Sequence, residues 1–111
     1  MKARILIADD EKNILDTLSD FMEGIGYHVD LAGSVDSALA LMQTNDYDIL
    51  LTDKNMPGTG GNNEGGMSLL KHVKEHNPLT EVIMITGYAT VESAVDAMKL
   101  GAFDYVMKPI P

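Results

Sequence analysis

The chain has 111 residues, enough for one domain around one core. It carries 17 acidic against 8 basic side chains, a formal net charge of −9 that argues against non-specific nucleic-acid binding. It has no cysteine, which excludes disulfides and thiolate metal sites and fits a reducing cytoplasm, and it shows neither a bilayer-length apolar stretch nor a secretory signal pattern.

Ala3–Ala8 reads as a first strand. Ile14, Leu15, Leu18, Phe21, Met22 and Ile25 then recur at helical spacing, and Gly24 and Gly26 mark that helix's end. His28–Ala32 reads as a second strand. Ser34 can cap a helix carrying Val35, Ala38, Leu39 and Met42 on one face. Ile49–Thr52 is the third strand, followed by a glycine-rich loop from about Lys54 to Gly65. Leu69, Leu70 and Val73 define a third helix, stopped by Asn77-Pro78. Val82–Thr86 is the fourth strand. Thr90 can cap a fourth helix, with Val91, Ala94, Val95 and Met98 expected inward and Gly101 at its end. Asp104–Met107 is the fifth strand, closed by Lys108-Pro109, a bond with the cis option that proline allows. This alternation predicts an α/β fold with a parallel sheet and helices on both faces. No helix follows the last strand, so the chain is expected to be a C-terminally truncated domain lacking its final helix.

Asp9, Asp10 and Asp53 stand where apolar runs stop: Ile5-Leu6-Ile7-Ala8 and Ile49-Leu50-Leu51-Thr52. In an open parallel sheet, ligands bind outside the carboxyl ends of the strands. Three carboxylates at that edge repel one another unless a cation or proton offsets them. The leading reading is a divalent-metal site with a reactive carboxylate. Mg²⁺ prefers hard oxygen ligands. Asp10 and Asp53 could bind it directly, the backbone carbonyl of Asn55 could add an oxygen, and Asp9 could act through a water. The plain alternatives are that Asp9–Asp10 opens a helix and Asp53 a turn. Lys108 could face Asp53 and neutralise it or grip a phosphoryl oxygen. Thr86 offers a hydroxyl to the same edge, and Gly87 leaves room beside Asp53. Tyr105, on the last strand, has a polar tip on an apolar body.

With Ile5-Leu6-Ile7-Ala8-Asp9-Asp10-Glu11, Asp48 to Gly58, Ile85-Thr86-Gly87 and Lys108-Pro109, the whole chain resembles the receiver domain of bacterial two-component response regulators. The run from Gly87 to Tyr105 is similar to the NtrC class. The resemblance implies a flavodoxin/CheY-like five-stranded parallel sheet, order 2-1-3-4-5, over residues 1–111. It implies that Asp53 is the phosphoacceptor, taking a phosphoryl group from a phosphohistidine on a sensor kinase. Asp10, Asp53 and the Asn55 carbonyl would bind Mg²⁺ with Asp9 assisting, Lys108 would contact the phosphoryl group, and Thr86 and Tyr105 would be the switch residues. The chain would then be a cytoplasmic signalling switch and not an enzyme, although it assists its own phosphorylation and dephosphorylation. Its output would be a sigma-54-type activator, with DNA bound only by a separate downstream domain. The fourth helix and last strand would form a homodimer face.

The segment Gly58–Gly66 is about five residues longer than the family pattern; a tolerated surface insertion is favoured over a lid or kinase-specificity element. Three rivals are weaker. Asp53 to Glu64 partly mimics a calcium EF-hand loop, but it follows a strand and has Pro57 at the fifth position. An aspartyl phosphohydrolase would need a cap domain or substrate pocket. His72 and His76 lack a third ligand nearby in sequence.

Overall fold

Short buried apolar runs become the strands, and the computed structural model describes residues 3–57, 64–87 and 89–108. The elements are β1 (Arg4–Ala8), α1 (Lys12–Ile25), β2 (His28–Ala32), α2 (Val35–Thr44), β3 (Ile49–Asp53), α3 (Gly65–His76), β4 (Glu81–Thr86), α4 (Val91–Lys99) and β5 (Asp104–Met107). The strands are parallel, in the order β2-β1-β3-β4-β5. Among the described residues no helix follows β5. The expected Lys108–Pro109 geometry lies outside the described residues, as does most of the long loop.

Side chains alternate across a strand, so each strand feeds two cores. Leu6, Ala8, Leu50, Val82 and Met84 pack against Val35, Ala38 and Met42 of α2 and Leu69, Leu70 and Val73 of α3. Ile5, Ile7, Leu51 and Ile85 point the other way, onto Leu15 and Leu18 of α1. The helix boundaries follow local chemistry. Ser34 and Thr90 form capping boxes with Ser37 and Ser93, and Gly26 ends α1 at φ 116°, a left-handed conformation suited to glycine.

Two expected helix faces differ from the sequence reading. In α4 the buried residue is Ala97, whereas Val91, Val95 and Met98 are 83%, 43% and 49% exposed. The small Ala97 lets the helix lie close to the sheet, and this register turns the larger side chains outward. On α1, Phe21 and Ile25 are 62% and 56% exposed. Among the described residues only α1 covers that face of the sheet, so nothing packs over them.

The strand ends opposite the acidic edge hold a polar clasp. The Tyr47 hydroxyl donates to Asp30 Oδ2 at 2.6 Å, Arg4 donates to Asn45 Oδ1 at 3.0 Å, and the Arg4 guanidinium lies 5.4 Å from the Tyr47 ring centroid. Burial, then the bond to Asp30 and its charge, push the Tyr47 phenol well above its ordinary pKa. Tyr47→Phe is expected to destabilise the protein by about 1–2 kcal/mol at neutral pH. The unfolded phenol ionises near pH 10 while the folded one keeps its proton, so the wild type loses stability above that pH. Chemical denaturation at both pH values should therefore show the gap to Tyr47→Phe narrowing in alkali.

Candidate functional site

The strand register brings the carboxyl ends of β1, β3, β4 and β5 to one edge. Ala8 lies beside Thr52, Asp53 beside Ile85, and Thr86 beside Met107. Backbone bonds extend the ladder just past these ends and hold the functional residues in place. The Asp9 N–H donates to Ala32 O at 3.0 Å, Lys54 N–H to Ile85 O at 2.8 Å, and Lys108 N–H to Thr86 O at 2.7 Å.

At this edge Asp9, Asp10 and Asp53 each offer a carboxylate oxygen, all within 4.8 Å of one another. Asp9 and Asp53 are buried and Asp10 is exposed. Lys108 Nζ donates to Asp9 Oδ2 at 3.0 Å and to Asp53 Oδ1 at 3.3 Å. Glu11 Oε1 lies 3.9 Å from the same ammonium, and the Glu11 N–H donates to Asp9 Oδ1 at 2.9 Å. Lys108 therefore bridges two carboxylates contributed by different strands.

Burial, then the negative charge of Asp9, pushes the Asp53 carboxyl above its ordinary pKa; the Lys108 ammonium and a hydrogen bond from the Asn55 backbone pull the other way. Burial alone would lower Lys108. Its hydrogen bond to Asp9 and the charges of Asp53 and Asp9 outweigh that, so the ammonium is held above its ordinary value. The site thus has more buried negative charge than one ammonium offsets. All its donors are hard oxygens, one of them open to solvent, and this set fits a small divalent cation such as Mg²⁺. Because the Asp53 carboxyl is raised, its ionisation at neutral pH works against folding. Asp53→Asn is expected to raise the melting temperature in metal-free buffer, and the advantage should shrink as pH falls from the raised carboxyl pKa toward 3.8, where wild-type Asp53 takes up its proton.

Thr86 is fully buried, and its hydroxyl donates to Asn55 Oδ1 at 2.9 Å. Asn55 therefore joins the two loops through its side chain, in addition to carrying the backbone carbonyl proposed as a ligand. Tyr105 is half-buried, and its hydroxyl meets Ser93 Oγ at 2.5 Å. A Cβ at Gly87 would meet nothing within 4 Å, which agrees with open space at that point.

The residues that the sequence left unmarked are Gly65 and Gly66. The Gly65 N–H donates to Met56 O at 2.8 Å and the Gly66 N–H to Lys54 O at 3.1 Å. A Cβ on Gly66 would lie 2.1 Å from Asp53 O. The start of α3 is thus pressed onto the backbone that carries Asp53, and the end of the long loop is anchored. The only sequence signal was the paired glycine at the start of a helix, which on its own is ambiguous. The EF-hand alternative fails because Asp53 ends a strand instead of following a helix. His72 and His76 stack with ring centroids 4.1 Å apart, and no acidic or histidine group joins them into a cluster among the described residues.

A family model described as the response regulator receiver domain matches residues 5–111. The regulatory protein AtoC of Escherichia coli is 41% identical over 106 residues, covering 96% of this chain and 22% of AtoC. The chain therefore spans about a quarter of the length of the curated relatives it matches. A receiver domain protein from Methanospirillum hungatei superposes with a TM-score of 0.91 at 34% identity, over 100% of this chain and 85% of that one. The beryllofluoride-activated NtrC4 receiver domain dimer gives 0.86 at 34% identity, over 97% of this chain and 85% of that one.

Proposed function

The chain belongs to the response regulator receiver domain family, of the NtrC-like class and hence a phosphorylation-dependent signalling switch, and we propose that Asp53 is its phosphoacceptor. The observation that carries this reading is the position of the Asp53 carboxylate. It is buried at the carboxyl end of the central strand, 3.3 Å from Lys108 Nζ and clustered with Asp9 and Asp10.

In the reaction, a carboxylate oxygen of Asp53 attacks the phosphorus of a kinase phosphohistidine. The new O–P bond forms as the P–N bond breaks, and the electron pair returns to the imidazole. The product is an acyl phosphate. Asp10, Asp53 and the backbone carbonyl of Asn55 would hold Mg²⁺, with Asp9 assisting through a water. When bound, that ion offsets the carboxylate charge and stabilises the charge spread over the phosphoryl oxygens. Lys108 is placed to exchange its bond to Asp53 for one to the incoming phosphoryl group.

Phosphorylation adds charge and new acceptors next to Thr86. The Thr86 hydroxyl would leave Asn55 for a phosphoryl oxygen, and Tyr105 would rotate inward behind it. A side chain that responds in this way biases a two-state arrangement of α4 and β5. That face exposes Val91, Val95, Met98, Phe103 and Met107, an apolar surface suited to a second copy of the chain. The partners we propose are a sensor histidine kinase, a homodimer mate at the α4–β5 face, and a sigma-54-type output region with its own DNA-binding domain. No described helix is long and apolar enough to cross a membrane, and cytoplasmic placement follows from the proposed kinase and output.

Stoichiometry tests the reading. Incubation with acetyl phosphate and Mg²⁺ should add at most one phosphoryl group per chain. Sustained release of inorganic phosphate, with many turnovers and no stable adduct, would indicate a hydrolase instead.

A further inference from the structure

Ser93 is the third residue of α4, and its hydroxyl has more than one partner. It accepts from the Thr90 N–H at 3.2 Å, lies 3.0 Å from the Thr90 hydroxyl oxygen, donates to the Thr90 carbonyl at 3.1 Å, and meets the Tyr105 hydroxyl at 2.5 Å. A serine hydroxyl has one proton and two acceptor lone pairs. With its proton on the Thr90 carbonyl, it can receive both the Thr90 N–H and the Tyr105 O–H. The helix cap and the bond to Tyr105 are therefore compatible when the Thr90 hydroxyl turns its proton away from Ser93, and together they then use the full capacity of one oxygen. The contact joins residues twelve apart and is partly buried, so water competes poorly for it.

We propose that the Ser93 hydroxyl is a latch that holds Tyr105 in its resting position and ties the first turn of α4 to β5. This deepens the reading of Tyr105 as a switch residue and rests on it. Tyr105 cannot turn toward Thr86 without giving up its bond to Ser93. In the same state the Thr86 hydroxyl is engaged with Asn55, so neither switch side chain is directed to Asp53. A bond made only in the resting arrangement biases the equilibrium toward it, and by linkage it opposes phosphorylation to the same degree. A net hydrogen bond of ordinary strength corresponds to about two- to tenfold in population. Ser93 is thus a positioning residue, setting how readily the domain switches.

The plain alternative is that Ser93 only caps α4. The two roles separate in the ring orientation of Tyr105. The protein would be labelled with 3-fluorotyrosine, and Tyr105→Phe would identify the Tyr105 signal by its loss. The latch predicts that Ser93→Ala moves this ¹⁹F signal toward its position in acetyl-phosphate-treated wild type. Ser93→Thr, which restores a hydroxyl, should return it. Tyr105→Phe leaves the cap intact, so α4 amide shifts that match those of Ser93→Ala would assign the change to the latch. The rate of phosphoryl gain should rise about two- to tenfold in Ser93→Ala and stay near wild type in Ser93→Thr. An unmoved Tyr105 signal in Ser93→Ala with α4 still helical would overturn the proposal, as would equal shifts in the Ala and Thr variants. If the wild type gains no phosphoryl group, the functional reading fails, but the comparison of unphosphorylated wild type, Ala and Thr variants still decides the latch.

Discussion

Lys108→Met is expected to destabilise the protein by about 3–5 kcal/mol, the magnitude for removing one partner of a buried ion pair. The Lys108 side chain is 16% exposed, and its partners Asp9 and Asp53 are 3% and 6% exposed. Methionine keeps most of the stem's packing but leaves two carboxylates facing each other without a counter-charge. The ammonium is held above its ordinary pKa, so its contribution is complete at neutral pH and is lost only as pH rises through that raised value. The variant's deficit should shrink in acid, because Asp53 takes up a proton more readily than an ordinary carboxyl. Added Mg²⁺ should recover part of it at neutral pH. Denaturant midpoints across pH, with and without Mg²⁺, check both statements. A deficit below about 1 kcal/mol would mean that Lys108 behaves as a surface lysine.

Gly66→Ala is expected to cost about 3 kcal/mol or more, at the upper end for overpacking. The added carbon would stand 2.1 Å from Asp53 O and 2.6 Å from Lys54 Cα, and both are backbone atoms. Relief requires moving either α3 or the strand end that carries Asp53. Stability and phosphoryl gain should therefore fall together. Gly87→Ala is the control: its new carbon meets nothing within 4 Å, and its effect on stability should stay within about 0.5 kcal/mol. Equal melting temperatures for the two variants would contradict the close packing at Gly66.

Much of this site was legible in the sequence because its parts are local. An apolar run followed by Asp or Thr marks a strand end, and parallel strands place all such ends on one edge. Asp9, Asp53, Thr86 and Lys108 therefore group from the sequence alone. Pairings between elements were not legible. Nothing at Asn55 shows that its side chain meets Thr86, and nothing at Ser93 shows that it meets Tyr105, because both contacts depend on how the loops and α4 lie on the sheet. The close approach at Gly66 was hidden for the same reason. The buried face of α4 departs from its apolar stripe because Val91, Val95 and Met98 are more apolar than Ala97, yet the tight fit against the sheet favours the smaller side chain. Helical periodicity gives the spacing of a stripe, and packing decides which stripe turns inward.

The most direct test of the central claim is the intact mass of wild type and Asp53→Asn after incubation with acetyl phosphate, each with and without Mg²⁺. The account predicts a gain of one phosphoryl group in the wild type with Mg²⁺, little without it, and none in Asp53→Asn. An undiminished gain in folded Asp53→Asn, or no gain in folded wild type with Mg²⁺, would contradict the assignment of Asp53 as the phosphoacceptor.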